Sequence, residues 1–216
     1  MCGFESHPFH NLSIRVNMIK FIGDLPRKCT VAFSGGIDSV VISDFLMNGK
    51  RDVTLAFFHH GTINSQRAEE FVQRFAEERK VPLRIGRINS QKSRDLSPEE
   101  FWRNERYAFL DSLGGPVVTG HHLGDAIETW IFTSLHGESK LIPYSRGAVI
   151  RPFLVTHKEE IREWAARRGL SWIEDESNSD PKYMRNLIRM AIVPEALKVN
   201  PGLGKVIRKK YELLSF

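Results

Sequence analysis

Cysteine is scarce: Cys2 and Cys29 are the two in 216 residues, and neither stands in a CxxC. That argues against a disulfide framework, a zinc ribbon or an evident iron–sulfur site, and leads us to expect a reducing, cytoplasmic setting. Long apolar runs are missing too, and none approaches the ~20 residues of a membrane-spanning helix. Residues 1–17 carry His and polar side chains where a secretory leader would need an apolar centre. The sequence shows no internal repeat, no low-complexity stretch and no GxxxxGK(S/T) Walker loop.

What is present suits a globular protein with one ordinary domain, or one domain and a small appendage: 41% apolar residues, 14 Phe, 4 Trp and 26% charged. Charge is unevenly spread. Residues 1–150 hold 18 Lys/Arg against 17 Asp/Glu, whereas residues 151–216 hold 13 against 9. A basic C-terminal third on a near-neutral body fits a polyanion docking at one end, and equally a solvated helical surface.

Apolar segments at 28–33, 52–58, 82–88, 116–119 and 150–154 read as strands. Amphipathic helices alternate with them, at 39–47, 64–80, from Ser97, at 123–135 and from Thr156 to Gly169. Ser97 with Glu100 forms a capping box, with Pro98 in the first helical position, and Thr156 with Glu159 forms another. A further strand is expected at LSWIE (170–174), followed by helical segments to Phe216. This alternation implies a parallel sheet with helices on both faces, an α/β fold. The pattern loosens around Gly137–Gly147, beyond which a mostly helical part is expected. His7 and His10 read as surface side chains.

The sharpest signal is AFSGGIDSVV (Ala32–Val41), between a strand and a helix. Adjacent Gly35 and Gly36 let the backbone curl close to a ligand, and the first-turn N–H groups of the helix then face outward at its positive end. Ser34 and Ser39 add hydroxyl donors. Asp38 would repel an anion unless a metal ion bridges it to phosphates, so a Mg²⁺-nucleotide is the natural occupant. A plain glycine turn capped by Ser34 is the competing reading, and the full SGGxDS string favours the nucleotide. Further along, GHHLGDAIET (Gly120–Thr129) puts Asp125 and Glu128 on one helical face after His121 and His122. That pair suits magnesium or an incoming amine, although acids are also common in first turns. Arg185 and Arg189, with Asn186 between them, lie four apart, on one helical face. They suit phosphates or a base edge, although two arginines on a helix are more often a solvated face or ion pairs, here with Glu174–Glu176.

These segments resemble the PP-loop ATP pyrophosphatases, which split ATP to AMP and pyrophosphate while adenylating a substrate. SGGIDS matches their signature. Among them the chain is most similar to tRNA(Ile)-lysidine synthetases. GHHLGDAIET resembles their HHxDDxxET, with Gly124 in place of the first Asp. FFHHG (57–61) resembles VDHG, with His59 in place of Asp. SPEEFWRNERYAFL (97–110) is similar to a helix with an ARxxRY-like core, and IRPFL (150–154) to IRPLL. EDESNSDPKYMRNLIRMAIVP (174–194) is similar to EDPSNxDxxFxRNxIRxxxxP.

The resemblance implies a five-stranded parallel adenine-nucleotide hydrolase-like sheet with helices on both faces, plus a small, mostly helical C-terminal subdomain. Residues 1–25 would form an extension, 26–147 the PP-loop domain and 148–216 a basic, mostly helical C-terminal part. This looks like a short form without extra C-terminal domains. The implied reaction converts the wobble cytidine of a CAU-anticodon isoleucine tRNA to lysidine, using ATP, Mg²⁺ and free lysine. Ser34, Gly35, Gly36, Ile37, Asp38 and Ser39 would bind ATP, and Asp38 and Asp125 the metal. Asp38, His122, Asp125 and Glu128 would act in catalysis. Arg103, Arg106, Arg185, Asn186, Arg189, Lys205, Arg208 and Lys209 would contact tRNA. Two alternatives stand beside this: an adenylating enzyme for another base or amine, and a tRNA- or nucleotide-binding module without turnover.

Overall fold

The alternating pattern is realised in a computed structural model that describes residues 19–88, 90, 97–174 and 184–214. Six strands form one sheet: β1 (Lys28–Ala32), β2 (Asp52–His59), β3 (Leu83–Arg87), β4 (Val117–Val118), β5 (Ser145–Arg146) and β6 (Val149–Ile150). Their order is β3-β2-β1-β4-β6-β5. Five strands are parallel, as the family resemblance implies, and β5 adds an antiparallel edge by pairing Arg146 with Val149.

The helices are α1 (Ile37–Asn48), α2 (Ile63–Arg79), α3 (Pro98–Ser112), α4 (Leu123–Leu135), α5 (Lys158–Arg168), α6 (Met184–Leu187), α7 (Val193–Val199) and α8 (Leu203–Glu212). A π-helical turn, Ile188–Ile192, joins α6 to α7. Among the described residues no helix is long and apolar enough to cross a membrane.

Both sheet faces are buried, so the strands read as apolar runs. Leu55 and Phe57 pack in a cluster with Val40 and Val41 of α1, Val72 of α2 and Ile161 of α5, while Ala56 between them packs with Tyr107 and Leu110 of α3. A second apolar cluster joins Leu123, Ala126 and Ile127 of α4 to Leu203, Ile207 and Tyr211 of α8. Ile19 reaches the first cluster, and Ile22 donates its N–H to the Pro152 carbonyl at 2.8 Å. Cys29 is buried, and burial pushes its thiol up to about 11, which leaves it inert.

Two local expectations need correction. LSWIE is not a strand: Ile173 donates its N–H to the Gly35 carbonyl at 2.9 Å, so this stretch packs onto the glycine loop and not onto a strand. The cap of α5 is His157, one residue later than Thr156, because Glu160 and not Glu159 turns back to accept the His157 N–H at 2.7 Å. The Thr156 hydroxyl donates to the Lys20 carbonyl. At Ser97 the cap is as expected, its hydroxyl accepting the Glu100 N–H at 3.1 Å. The readings of Cys2, His7, His10 and residues 175–183 fall outside the described residues.

After β1 the chain winds one way to β2 and β3, then crosses back to β4 on the other side of β1. Strand order therefore reverses between β1 and β4, and their carboxyl ends open the crevice where α/β sheets take ligands.

Candidate active site

The loop after β1 is the floor of that crevice. Gly35 has φ +84°, and a Cβ there would meet Ile173 at 3.0 Å and Phe71 at 3.1 Å, so glycine is required on two counts. Ser39 is buried and holds the curl. Its hydroxyl donates to the Gly36 carbonyl at 2.9 Å and accepts the Ser34 N–H at 3.2 Å. The Ser39 proton is thus committed to the loop, and the exposed Ser34 hydroxyl is the one open to a ligand. Gly36 caps α1 without a side chain, leaving the first-turn N–H groups for an anion.

Asp38, in the first turn of α1, sits between two partners, Lys158 and His122. Lys158, at the start of α5, forms an ion pair with Asp38 Oδ1 at 2.5 Å. His122 Nε2 lies 3.8 Å from the same oxygen and 3.7 Å from Asp125 Oδ2. His122 Nδ1 accepts the Gly124 N–H at 2.9 Å, so in the neutral ring Nε2 carries the hydrogen, facing both carboxylates. His122 stands between Asp38 and Asp125, close to both but beyond hydrogen-bond distance of either. Gly124 makes this possible. A Cβ at that position would stand 2.6 Å from the ring's Cε1, so the family's Asp would push His122 aside.

On α4, Asp125 Oδ2 accepts the His122 N–H at 2.8 Å. Surrounding protein pushes its carboxyl up, but His122, His121, that N–H and Arg189 outweigh this and hold it below the usual range. Glu128 is buried, and burial pushes its carboxyl above the usual range, with Arg189 pulling the other way. Arg189 grips Glu128 with both prongs, Nε to Oε1 at 2.6 Å and Nη2 to Oε2 at 3.0 Å, and its Nη2 is 3.5 Å from Asp125 Oδ1. Of the two arginines read as one basic face, Arg189 serves these acids.

Arg185 goes elsewhere. It joins Arg103, Arg106, Arg146 and Arg151 around Tyr107 and His121. His121 Nδ1 is hydrogen-bonded to the Thr119 hydroxyl at 2.8 Å. The protein crowding His121 pushes it down to about 4, with Arg151, Arg106 and Arg185 adding to the effect, so it is neutral at pH 7. Asn186 is buried. Arg208, half-buried on α8, donates through Nη2 to the Val155 carbonyl at 3.0 Å. Lys205 and Lys209 are exposed on α8.

Lys158 escaped the sequence reading. The signal was there: a lysine in the first turn of a helix opposes the helix dipole and therefore calls for a partner. His59, where the resemblance has Asp, accepts the Gly61 N–H at 2.9 Å through Nδ1 and lies 3.9 Å from Glu69 through Nε2. A cavity of about 350 Å³ lies beside it, and a larger one of about 430 Å³ lies at the α2–β3 junction, away from the loop.

The glycine loop lies at a switch point of a parallel sheet, the place where α/β sheets take ligands, and Asp38, His122 and Asp125 line up beside it. Residues 11–196 match the PP-loop domain family, to which the chain belongs, and that domain implies ATP binding. Its curated relatives include the tRNA(Ile)-lysidine synthases of Vibrio vulnificus strain YJ016, 32% identical over 86% of this chain, and of Thermotoga sp. strain RQ2, 33% identical over 86%. The alignments cover 46% and 48% of those proteins, so the chain spans about half their length. In fold it is similar to the U34-tRNA thiolase NcsA of Methanococcus maripaludis, with TM-score 0.69 and 18% identity, covering 86% of this chain and 70% of that one. It is also similar to the ammonia-dependent NAD synthetase of Campylobacter jejuni, with TM-score 0.52 and 16% identity, covering 88% and 85%.

Proposed function

We propose that the protein is an ATP-dependent carbon–nitrogen ligase of the cytoplasm that converts the wobble cytidine of a CAU-anticodon isoleucine tRNA to lysidine. The observation that carries this is the line of groups from the loop to α4: Asp38, His122, Asp125, Glu128 and Arg189, each within 3.8 Å of the next or of a shared neighbour. It brings a nucleotide loop and a pair of amine-attracting acids into one crevice. The curated relatives support the reading.

In this scheme Ser34 and the N–H groups at the start of α1 hold the phosphates. Cytidine O2 attacks the α-phosphorus and pyrophosphate leaves; the ε-amine of lysine then attacks carbon two, AMP leaves and the amine loses a proton. Lys158 neutralises charge gathering on the phosphoryl oxygens, and the crevice aligns three reactants. Asp125 and Glu128 attract the lysine ammonium, and a carboxylate of this pair receives the proton. Arg189 occupies these acids in the structure, so the incoming ammonium competes with a guanidinium.

Among the described residues, no three or more His, Cys, Asp or Glu side chains form a metal-holding group. Two carboxylates on either side of one imidazole nevertheless fit magnesium, which takes one or two protein carboxylates and fills its other positions with phosphate oxygens and water. Asp38 and Asp125 would hold it, and bound there it would supply charge neutralisation at the phosphates.

The test combines the protein, ATP, Mg²⁺, lysine and a CAU-anticodon tRNA(Ile) transcript, followed by mass spectrometry of nuclease fragments. A lysine-sized addition on the anticodon cytidine, absent without lysine, is expected. AMP release with unmodified cytidine would replace lysine by another amine or base, and neither product would leave a binding module.

A further inference from the structure

Three solvent-facing arginines from two elements lie over one tyrosine ring, and a fourth stands beside them. The guanidinium of Arg146, on β5, lies 4.7 Å from the centre of the Tyr107 ring, that of Arg103 at 5.6 Å and that of Arg106 at 5.8 Å. Arg185 approaches from α6, close enough to act electrostatically on Arg103 and Arg106. Beneath them Arg151, 2% exposed, donates through Nη2 to the Tyr107 hydroxyl at 2.9 Å and through Nη1 to the Pro143 carbonyl at 2.9 Å.

Among the described residues no carboxylate pairs with Arg103, Arg106, Arg146, Arg151 or Arg185. Like charges gathered this way repel, and the guanidiniums of Arg103 and Arg106 are held below their ordinary range, by the surrounding protein first and by their arginine neighbours after it. An anion entering the cluster removes that repulsion and gains two-pronged hydrogen bonds. Arg106 and His121 tie the cluster to the β4 end of the crevice, where the target base would enter. β6 is anchored in the sheet, with Val149 fully buried against β4, whereas β5 is exposed, and Gly147, with φ +57°, turns the hairpin so that Arg146 stands at the sheet edge.

We infer that Arg103, Arg106, Arg146 and Arg185, braced by the Tyr107–Arg151 pair, form a cradle for a backbone phosphate of the RNA next to the modified nucleotide. This rests on the proposed tRNA reading and adds Arg146 as the anchor that the sequence reading left unassigned. The cradle's charge is separate from the nucleotide loop, where Asp38 and Lys158 already balance each other. The ligand chemistry is a phosphate group, and a free pyrophosphate released from ATP is the other possible source.

The experiment titrates a labelled CAU anticodon stem-loop RNA into the protein at several KCl concentrations. It compares wild type with Arg146→Gln and Arg146→Lys, and uses a second RNA with methylphosphonates flanking the wobble cytidine. Arg146→Gln should weaken binding roughly 10-fold, as loss of one charged contact does, and reduce the salt slope by about 0.7. Arg146→Lys should recover part of the affinity, the methylphosphonate RNA should bind wild type and Arg146→Gln alike, and ATP binding should be unchanged. Equal affinity of wild type and Arg146→Gln for the unmodified RNA would overturn the cradle. So would an Arg146 dependence seen with inorganic pyrophosphate and not with RNA. If the Arg146 coupling holds while no lysidine forms, the cradle stands and the reaction assignment falls.

Discussion

Lys158 and Asp38 are 120 residues apart in sequence and 2.5 Å apart in space, joining the start of α5 to the nucleotide loop. The lysine is one of the described side chains that brings a positive charge directly to the loop. In the proposed mechanism it would turn from Asp38 to a phosphate oxygen of ATP and free the carboxylate for magnesium. Lys158→Met should therefore lower the rate of AMP formation by about 10- to 100-fold, the scale of one charge-assisted contact, with Lys158→Arg less affected. Pyrophosphate release in single-turnover conditions measures this. An unchanged rate would assign Lys158 to stability alone.

Asp44 is a second buried acid on α1, and its task is structural. Its carboxylate accepts from Arg79 of α2 at 2.8 Å and from Trp164 and Arg168 of α5 at 2.9 and 3.0 Å, stapling three helices. Burial pushes its carboxyl up, but these donors outweigh burial and hold it below the usual range. A lowered folded-state value means the stabilisation is complete above the unfolded value, near ~3.9, and is lost as pH falls through the folded one. Asp44→Asn should cost roughly 1–3 kcal/mol at pH 7, the half-exposed arginines returning to water. Its stability should also fall less steeply than wild type below about pH 4. Denaturant unfolding across pH 2.5–7 reads both effects; parallel curves would remove Asp44 from the acid response.

What the sequence made legible was local, and what it concealed was distant. The glycine loop, the Ser97 cap and the parallel sheet follow from short-range rules, since φ above zero, a capping hydroxyl and strand–helix alternation are each visible within a few residues. LSWIE has strand composition, yet its backbone goes to the glycine loop, while the antiparallel edge is made by β5, two residues with too little pattern to be read. The cap of α5 slipped by one because Glu159 and Glu160 are adjacent and either could turn back. Arg185 and Arg189 share a helical face by spacing, but the π turn begins between them, and the acids on α4 claim one of the two. Lys158 and Arg146 belong to the site only through the crossovers that bring their elements to the crevice.

Gly124→Asp restores the residue that the lysidine synthetase motif carries. In this chain the new Cβ would stand 2.6 Å from His122 Cε1 and 3.0 Å from Nδ1, so the ring must leave its place between Asp38 and Asp125. The substitution sits in the first turn of α4, where an acid replaces glycine favourably, by about 0.5–1.5 kcal/mol from propensity and helix dipole together. The variant should thus melt no lower than wild type while the His122 imidazole resonances move and the KM for the amine changes several-fold. NMR of labelled histidine separates the two consequences. Unmoved His122 resonances would show that the ring does not depend on Gly124.

Arg189 and Glu128 couple the proposed amine site to stability. Burial raises the Glu128 carboxyl, so its proton is held more tightly in the folded chain than in the unfolded one. The contribution is therefore complete below the unfolded value, near ~4.3, and is lost as pH rises through the folded value. Arg189 limits that loss by gripping the ionised form with two bonds. Arg189→Gln should match wild type at about pH 4 and fall behind it towards pH 8, by about 1–2 kcal/mol once solvent screening of the half-exposed guanidinium is discounted. Adding Glu128→Gln should remove most of that deficit, because no buried charge is then left unpaired. Thermal unfolding of the single and double variants from pH 4 to pH 8 decides it: a deficit independent of pH, or one the second substitution leaves in place, would mean that Arg189 acts through packing and not through the charge on Glu128.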